Sequence, residues 1–195
     1  MIIVFTDLAR QSLASLRFLL LLTLILGVGY PASLWLVAQP FGDRAAGQPV
    51  RLDGEVVGST LIGQQFEGAQ WFHSRPSPNG YDTLASAPSN LGPRNPDLIA
   101  AIEERRAAVA AAERVDPGRV PPDALTASGS GLDPQISPAY AGLQAARVAR
   151  VNGLAVSVVD NLIEEHTQGR FLGFHGEPGV NVLELNLSVL DVTRQ

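Results

Sequence analysis

Residues 18–38 read FLLLLTLILGVGYPASLWLVA, and none of them is charged. Thr23 and Ser33 are the ordinary polar groups in this stretch. At 1.5 Å rise per residue, its 21 residues match the thickness of a bilayer's hydrocarbon core. The stretch therefore predicts a transmembrane helix, and the residues after it predict a globular domain tethered to a membrane.

A cleaved signal peptide is the alternative for the same residues. In that interpretation Arg10 and Arg17 form the charged start, and residues 18–28 form the apolar part. However, the apolar character resumes after Tyr30 and Pro31, and no small-x-small cleavage site follows. The sequence therefore favours an anchor, in which a single proline is tolerated and can kink the helix.

The charges flanking the anchor bear on its orientation. Arg17 abuts the apolar stretch, whereas Arg44 and Arg51 on the far side stand among acidic residues. This pattern favours a cytoplasmic N-terminus and a domain outside the cytoplasm.

Three parts are predicted along the chain: an N-terminal segment with the transmembrane helix at 1–39, a linker at 40–49, and a soluble domain at 50–195. The linker is rich in Gly, Ala and Pro. Within the helix, the small residues Gly27 and Gly29 would let a neighbouring membrane helix approach closely.

Composition excludes several classes of function. All 14 basic residues are arginine, so Schiff-base chemistry and a phosphate-loop lysine are excluded. Beyond residue 38, 12 arginines stand against 18 acidic residues, which argues against a nucleic-acid partner. The chain has no cysteine, so it has neither disulfides nor a thiolate metal site.

Periodicity and punctuation predict the elements of the domain. Five prolines between residues 71 and 96 exclude regular structure there. Capping and helical spacing predict three helices, and alternation predicts two main strands, the second joined by a turn at 176–179 to residues 171–174. The helices are at about 96–115, 137–152 and 156–166, and the strands are at 50–56 and 180–190. The predicted fold class is α+β, with one transmembrane helix before a small domain of helices and a short, mainly antiparallel sheet.

Histidines are the only side chains with proton chemistry near neutral pH. His73, His166 and His175 are the three, and His175 lies close to Glu177. Their spacing matches no established ligand pattern, so no metal site is predicted. A membrane-tethered hydrolase or ligand-binding domain using His73 or His166 is kept as the alternative function.

The small residues at 126–131 (TASGSG) offer two further interpretations. Ser128 and Ser130 both lack the glycine two positions earlier that a nucleophile elbow requires. The backbone N–H groups of the segment could instead face an anion or a nucleotide phosphate. A tight loop between elements is the simpler interpretation.

Several strings taken together resemble one family, the C subunit of the potassium-transporting Kdp ATPase. They are residues 71–77 (WFHSRPS), 89–93 (SNLGP) with Asn95 and Pro96, 126–138 (TASGSGLDPQISP), His166 and Thr167 with Gly169 and Arg170, and 180–187 (VNVLELNL). With the anchor, the resemblance covers essentially the whole chain. Two departures are Gln135, where many relatives have His, and an end about one residue longer than usual at 188–191.

The resemblance implies a non-catalytic, single-pass subunit of a bacterial inner-membrane complex for high-affinity potassium uptake. Its implied partners are a channel-like potassium-translocating subunit, a P-type ATP-hydrolysing subunit, a small single-helix subunit and membrane lipid. No firmly bound cofactor is expected. For the family, the C subunit has been proposed to raise ATP affinity, with nucleotide binding assigned to it, and also to cap the external ion entrance.

These two roles conflict, because a domain outside the cytoplasm cannot touch cytoplasmic ATP. The flanking charges therefore favour a role in assembly or at the ion entrance. The family motifs supply the residues expected to contact a partner or a nucleotide. They are Phe72, His73, Arg75, Pro76, Asn90, Leu91, Gly92, Ser128, Gly129, Ser130, Gly131, Asp133, Pro134 and Arg170.

Overall fold

The computed structural model describes residues 2–194. The chain forms two compact units, Met1–Gln48 and Pro49–Gln195. The first contains the apolar helix and the second contains two small antiparallel sheets with most of the helices. This confirms the α+β class with a long N-terminal apolar helix. The finer division at residues 39 and 49 stays a prediction.

The first unit is one helical rod whose type changes along its length. Helix α1 (Ile2–Leu24) continues through a π-helical turn (Ile25–Gly29) into α2 (Tyr30–Ala38), and a 3₁₀ segment (Gln39–Arg44) follows. The wide turn lies directly before Pro31, whose missing N–H and bulky ring cannot be accommodated in a regular α-helix. Residues Asp7–Arg44 are long and apolar enough to cross a membrane.

The second unit begins with a hairpin where a single strand was predicted. Strand β1 (Pro49–Leu52) pairs antiparallel with β2 (Glu55–Ser59). Asp53 and Gly54 both adopt positive φ, 52° and 90°, which is the backbone of a two-residue hairpin turn. The predicted strand at 50–56 is therefore wrong, since an Asp-Gly turn interrupts the alternation.

Three helices follow their predicted signals closely. Helix α3 (Pro96–Glu113) begins at Asn95, whose side chain accepts a hydrogen bond from the Asp97 N–H. Helix α5 (Pro138–Asn152) is capped by the Ser137 hydroxyl and ends at Gly153 with φ of 69°. Helix α6 (Val156–Glu165) buries one apolar side. A short helix, α4 (Pro122–Leu125), lies between α3 and α5.

The predicted long strand at 180–190 is wrong. Only β5 (Gly179–Asn181) is extended, and α7 (Val182–Thr193) begins directly after it. The Asn181 side chain accepts the Glu184 N–H, which caps the helix. Val182, Leu185, Asn186 and Val189 are buried together at helical spacing. The alternating leucines concealed this second periodicity.

The small central sheet has the order β3-β5-β4, with antiparallel pairs. Strand β3 spans Gln135–Ile136 and β4 spans Thr167–Gln168. Residues 171–174 do not form the predicted strand, because Phe171 turns back to bridge His175. No helix or strand lies between Ser59 and Pro96, which confirms the prediction made from the prolines for residues 71–96.

The core lies where α5, α6, α7 and the central sheet meet. Its members are apolar and almost fully buried. The apolar side chains that are buried most completely and are largest in that group are Phe72, Val148, Val159, Val180, Val182, Leu185 and Val189. Phe72 comes from the irregular segment, so this core also fixes the chain before the proline-rich loop.

Candidate functional site: the motif cluster

Two strings that carry the family resemblance meet in the structure. We refer to the residues at their contact as the motif cluster: Arg75, Pro76, Ser77, Ser128, Gly131 and Asp133. Arg75 Nη1 donates to Asp133 Oδ2 at 2.9 Å, and the Ser128 N–H donates to the Pro76 carbonyl at 3.1 Å. The fold therefore joins segments more than fifty residues apart through one ion pair and one backbone hydrogen bond.

The proline-rich loop folds back onto the glycine-rich segment at Ser77. Its hydroxyl donates to the Gly131 carbonyl at 2.7 Å and accepts the Tyr81 N–H at 2.9 Å. The Tyr81 hydroxyl donates to the carbonyl of Arg75. Gly131 has φ of 71°, and a Cβ there would collide with the Asn79 side chain. Only glycine fits this contact.

Other predicted residues of the same segment serve the fold. The Asp133 Oδ1 atom accepts the Gln135 N–H at 3.0 Å, and the Pro134 carbonyl accepts the Val182 N–H at 3.0 Å. The Ser130 hydroxyl accepts the Leu132 N–H at 3.0 Å. These bonds position β3 and the start of α7. Gly129, in contrast, is exposed, with open space around it.

Two side-chain amides hold the backbone at Phe72 and His73 in the way that a neighbouring strand would. Asn186 Oδ1 accepts the Phe72 N–H at 2.7 Å, and Asn186 Nδ2 donates to the Phe72 carbonyl at 3.0 Å. Gln144 makes the same pair of bonds with His73, at 2.7 and 3.1 Å. Because both amides are buried, these bonds are shielded from water.

An open cavity of about 350 Å³ borders the motif cluster. His73, Arg75, Tyr81 and Tyr140 contribute its polar lining. His73 Nε2 lies 3.0 Å from the Gly68 carbonyl, so this nitrogen carries the proton and donates. Burial lowers the pKa of the His73 imidazole below its usual value, and burial raises the pKa of the Tyr140 hydroxyl. The cavity therefore presents neutral rings near neutral pH.

A buried ion pair lies beneath this region, and the sequence did not predict it. Arg147 Nε donates to Glu113 Oε1 at 2.9 Å, with side-chain exposures of only 5% and 3%. Arg147 Nη1 also donates to the carbonyls of Ala69 and Trp71, at 2.6 and 2.8 Å, and Nη2 donates to Gln144. The sequence signal that could have revealed this ion pair is an arginine at a core-facing position of α5.

A second cavity, of about 220 Å³, also borders Arg75. Three carboxylates line it, and each already has a partner. Asp123 accepts both the N–H and the hydroxyl of Ser137, Asp133 accepts Arg75, and Glu177 accepts Arg170 at 2.7 Å. Within residues 2–194, no group of three or more His, Asp or Glu side chains could hold a metal ion.

The remaining predicted residues lie outside the motif cluster. Asn90, Leu91 and Gly92 are exposed on the proline-rich loop, where Asn90 adopts φ of 54°. Arg170 is 45% exposed and pairs with Glu177. His166 Nε2 contacts the Ser188 hydroxyl at 2.7 Å. The structure therefore brings together only part of the predicted set.

The two predicted glycines of the anchor lie in the π-helical turn. A Cβ on Gly27 would meet nothing closer than Thr23 Cγ2 at 3.9 Å, and one on Gly29 nothing closer than the Leu24 carbonyl at 3.8 Å. Each position therefore leaves helix backbone uncovered, and the two lie on nearly opposite faces of the helix because they are two residues apart. Backbone uncovered in this way permits close approach of another helix on either face.

Comparison with known proteins gives one consistent result. The family model described as "K+-transporting ATPase, c chain" (KdpC) matches residues 12–191. A potassium-transporting ATPase KdpC subunit of Kineococcus radiotolerans is 56% identical over 186 residues, covering 94% of this chain and 95% of that protein. The KdpC subunits of Mycobacterium tuberculosis strain H37Rv and Beijerinckia indica are 50% and 49% identical, covering 92% and 88% of this chain and 97% and 88% of theirs. The chain belongs to the KdpC family of potassium-transporting ATPase subunits.

Proposed function

We propose that this chain is a non-catalytic subunit that stabilises assembly of the potassium-transporting ATPase. Its anchor packs among partner helices, and its domain docks on the channel-like subunit. The observation that carries this proposal is how the motif residues are used. Polar groups of five motif residues are hydrogen-bonded inside the fold; the residues are Phe72, His73, Arg75, Ser128 and Asp133. These bonds support a structural role for the strings that carry the family resemblance.

The same contacts argue against firm nucleotide binding by this domain. A phosphate site needs free backbone N–H groups and an available cation. The Ser128 and Leu132 N–H groups are engaged with Pro76 and Ser130, whereas those of residues 129–131 are not; the limiting group is the cation, because Arg75 is already paired with Asp133. We therefore infer that ATP is held by the ATP-hydrolysing subunit, and that any effect of this chain on ATP affinity acts through assembly.

Docking requires surface that the fold itself does not use. Asn90, Leu91 and Gly92 offer such a surface, since they are exposed on a loop whose base is tied down by Ser77 and Asn79. A loop presented on a fixed base loses less conformational entropy on binding. Placed outside the cytoplasm, as the charges around the anchor favour, this loop would reach the ion entrance of the channel-like subunit.

Co-purification of the complex tests the assembly role. The double variant Gly27→Leu and Gly29→Leu covers the exposed backbone on both faces, so we expect this subunit to be lost from the affinity-purified complex. Val28→Leu, at an exposed neighbouring position of the same turn, is the matched control. Full retention of the double variant would exclude the glycines from helix packing.

The cavity beside His73 is the observation that favours the alternative, a ligand-binding domain or hydrolase. If the cavity serves a ligand, His73→Gln will change transport kinetics in the assembled complex while subunit content stays normal. Unchanged kinetics at normal subunit content would leave the assembly role as the better account.

A further inference from the structure

An exposed apolar turn projects from the central sheet. Phe171, Leu172 and Phe174, which we name the apolar tip, are 68%, 73% and 73% exposed. They lie between β4 and β5, in a segment only ten residues long. Three large apolar side chains held together in water are unusual for a domain that buries or half-buries its other aromatic rings, and such a patch marks a contact site.

The turn is held in shape by its own hydrogen bonds. The Phe171 N–H donates to the His175 carbonyl at 2.8 Å, and the His175 N–H donates back at 3.0 Å. Leu172 and Gly173 adopt positive φ, 53° and 81°. Arg170 and Glu177 pair across the base at 2.7 Å. The apolar tip is therefore presented as a formed turn and needs little ordering before it binds.

The charge around the apolar tip differs from that of the domain. Residues 169–176 contain no acidic residue, and Arg170 is paired with Glu177, so the turn carries little net charge. The residues after 38 carry an excess of six negative charges. A turn with large apolar side chains at its end and little net charge suits a bilayer interface, where rings enter the acyl boundary.

Connectivity places the base of this turn near the start of the domain. Pro49 pairs with Ser59, and the carbonyl of the next residue, Thr60, accepts Asn181 Nδ2 at 2.8 Å. Asn181 lies in β5, which pairs with the strand that leads into the tip. The base of the turn is thus a few strand spacings, each about 5 Å, from Pro49. Four residues separate Pro49 from Arg44, where the apolar helical segment ends, so the linker can span at most about 18 Å.

We propose that the apolar tip inserts into the interface of the bilayer that holds the anchor. A tethered domain meets that surface at high effective concentration, so even shallow insertion of three side chains is sufficient. The contact would fix the orientation of the domain at the membrane before any partner subunit binds.

A single fluorescent probe tests this in the full chain. The chain has no cysteine, so Leu172→Cys and Phe174→Cys each give one labelling site for an environment-sensitive dye. Leu84→Cys is the matched control, because Leu84 is 97% exposed on another loop. Each labelled chain is placed in lipid nanodiscs with anionic lipid, with and without acyl chains that carry a quencher near the headgroup.

We expect both tip probes to emit at shorter wavelength and to lose about half of their intensity to the quenching lipid, with the Leu84 probe unaffected. The proposal would be overturned if the tip probes emitted at the wavelength of the dye in water and were not quenched by the lipid. Shielding that appears only after the partner subunits are added, without lipid quenching, would also overturn it and would assign the tip to a protein interface. Neither outcome bears on the assembly role, because that role is scored by co-purification.

Discussion

The anchor and the domain of this chain differ in which side chains they expose and which they bury. The anchor leaves large apolar side chains such as Trp35 and Leu36 63% exposed. The domain buries Arg147, Gln144 and Asn186 to 4% exposure or less. The anchor is therefore completed only by lipid and by other helices. The domain, in contrast, ties these three side chains to its own backbone.

This contrast explains why the two regions differ in their tolerance of substitutions. The anchor needs only apolar character over a sufficient length, so many substitutions leave it intact. The domain uses amide and guanidinium groups to tie an irregular segment onto α5 and α7. Removing one of those groups leaves a buried partner unsatisfied, which costs more than losing the bond itself.

The largest expected effect is at the buried ion pair. Arg147→Met leaves Glu113 charged and buried and orphans two carbonyls, so we expect the free energy of unfolding to fall by about 3–5 kcal/mol. Urea titration of the full chain in detergent, followed by tryptophan fluorescence, measures it. Arg150→Met, on the exposed side of the same helix, is the control. Equal midpoints for the two variants would show that the pair does not hold the domain together.

A smaller loss is expected at Asn186. Asn186→Leu keeps the side-chain volume but leaves the N–H and carbonyl of Phe72 without a hydrogen-bond partner. Each unsatisfied group costs about 1–3 kcal/mol. The same titration applies, with exposed Asn161→Leu on α6 as the control. A variant as stable as the original chain would mean that water replaces the amide, and that the two hydrogen bonds from Asn186 to the Phe72 backbone do not stabilise the domain.

His73 should give the domain a modest dependence on pH. Because burial lowers its pKa in the folded state, folding favours the neutral ring. Its contribution is present above the unfolded pKa near 6.5 and is lost as pH falls through the lower folded pKa. Unfolding measured from about pH 7.5 to about pH 5 should show a steeper decline than in His73→Gln. Exposed His175→Gln should leave the slope unchanged; matching slopes for all three chains would contradict the account.

The smallest effect on the domain is expected from the anchor. Gly27→Leu with Gly29→Leu changes only helix surface in the first unit, so the free energy of unfolding of the domain should shift by less than about 0.5 kcal/mol. The urea midpoint of the domain measures it. A larger shift would mean that the anchor contributes to domain stability, and the contrast between the two regions would fail.

The sequence predicted most helix ends, which depend on local signals, but missed one hairpin and one helix. Asn95, Ser137 and Gly153 act at helix ends within a few residues, so their signals were sufficient. Residues 182–193 form a helix because the Asn181 cap and buried Val182 and Val189 outweigh the alternating leucines. The Asp-Gly pair inside the apparent strand is also a local signal, and it indicates a hairpin turn.

The polar contacts of the site could not be predicted in the same way. Asn186 meets Phe72 across 114 residues, and Gln144 meets His73 across 71. Nothing in the spacing of these residues specifies such pairs, since the backbone groups they bind belong to a segment without regular structure. The motif strings identified the family, but only the fold shows that Arg75 is committed to Asp133.

The central claim is that the domain is an external, non-catalytic part of the complex, and its topology is the most direct test. Leu84→Cys, 97% exposed in the domain, and Asp7→Cys, before the apolar stretch, each supply a single thiol. Intact cells carrying the assembled complex are treated with a membrane-impermeant thiol reagent. We predict that Leu84→Cys is labelled in intact cells and Asp7→Cys only after lysis. Labelling of Leu84→Cys only after lysis would contradict the account, because it would place the domain on the side where ATP is bound.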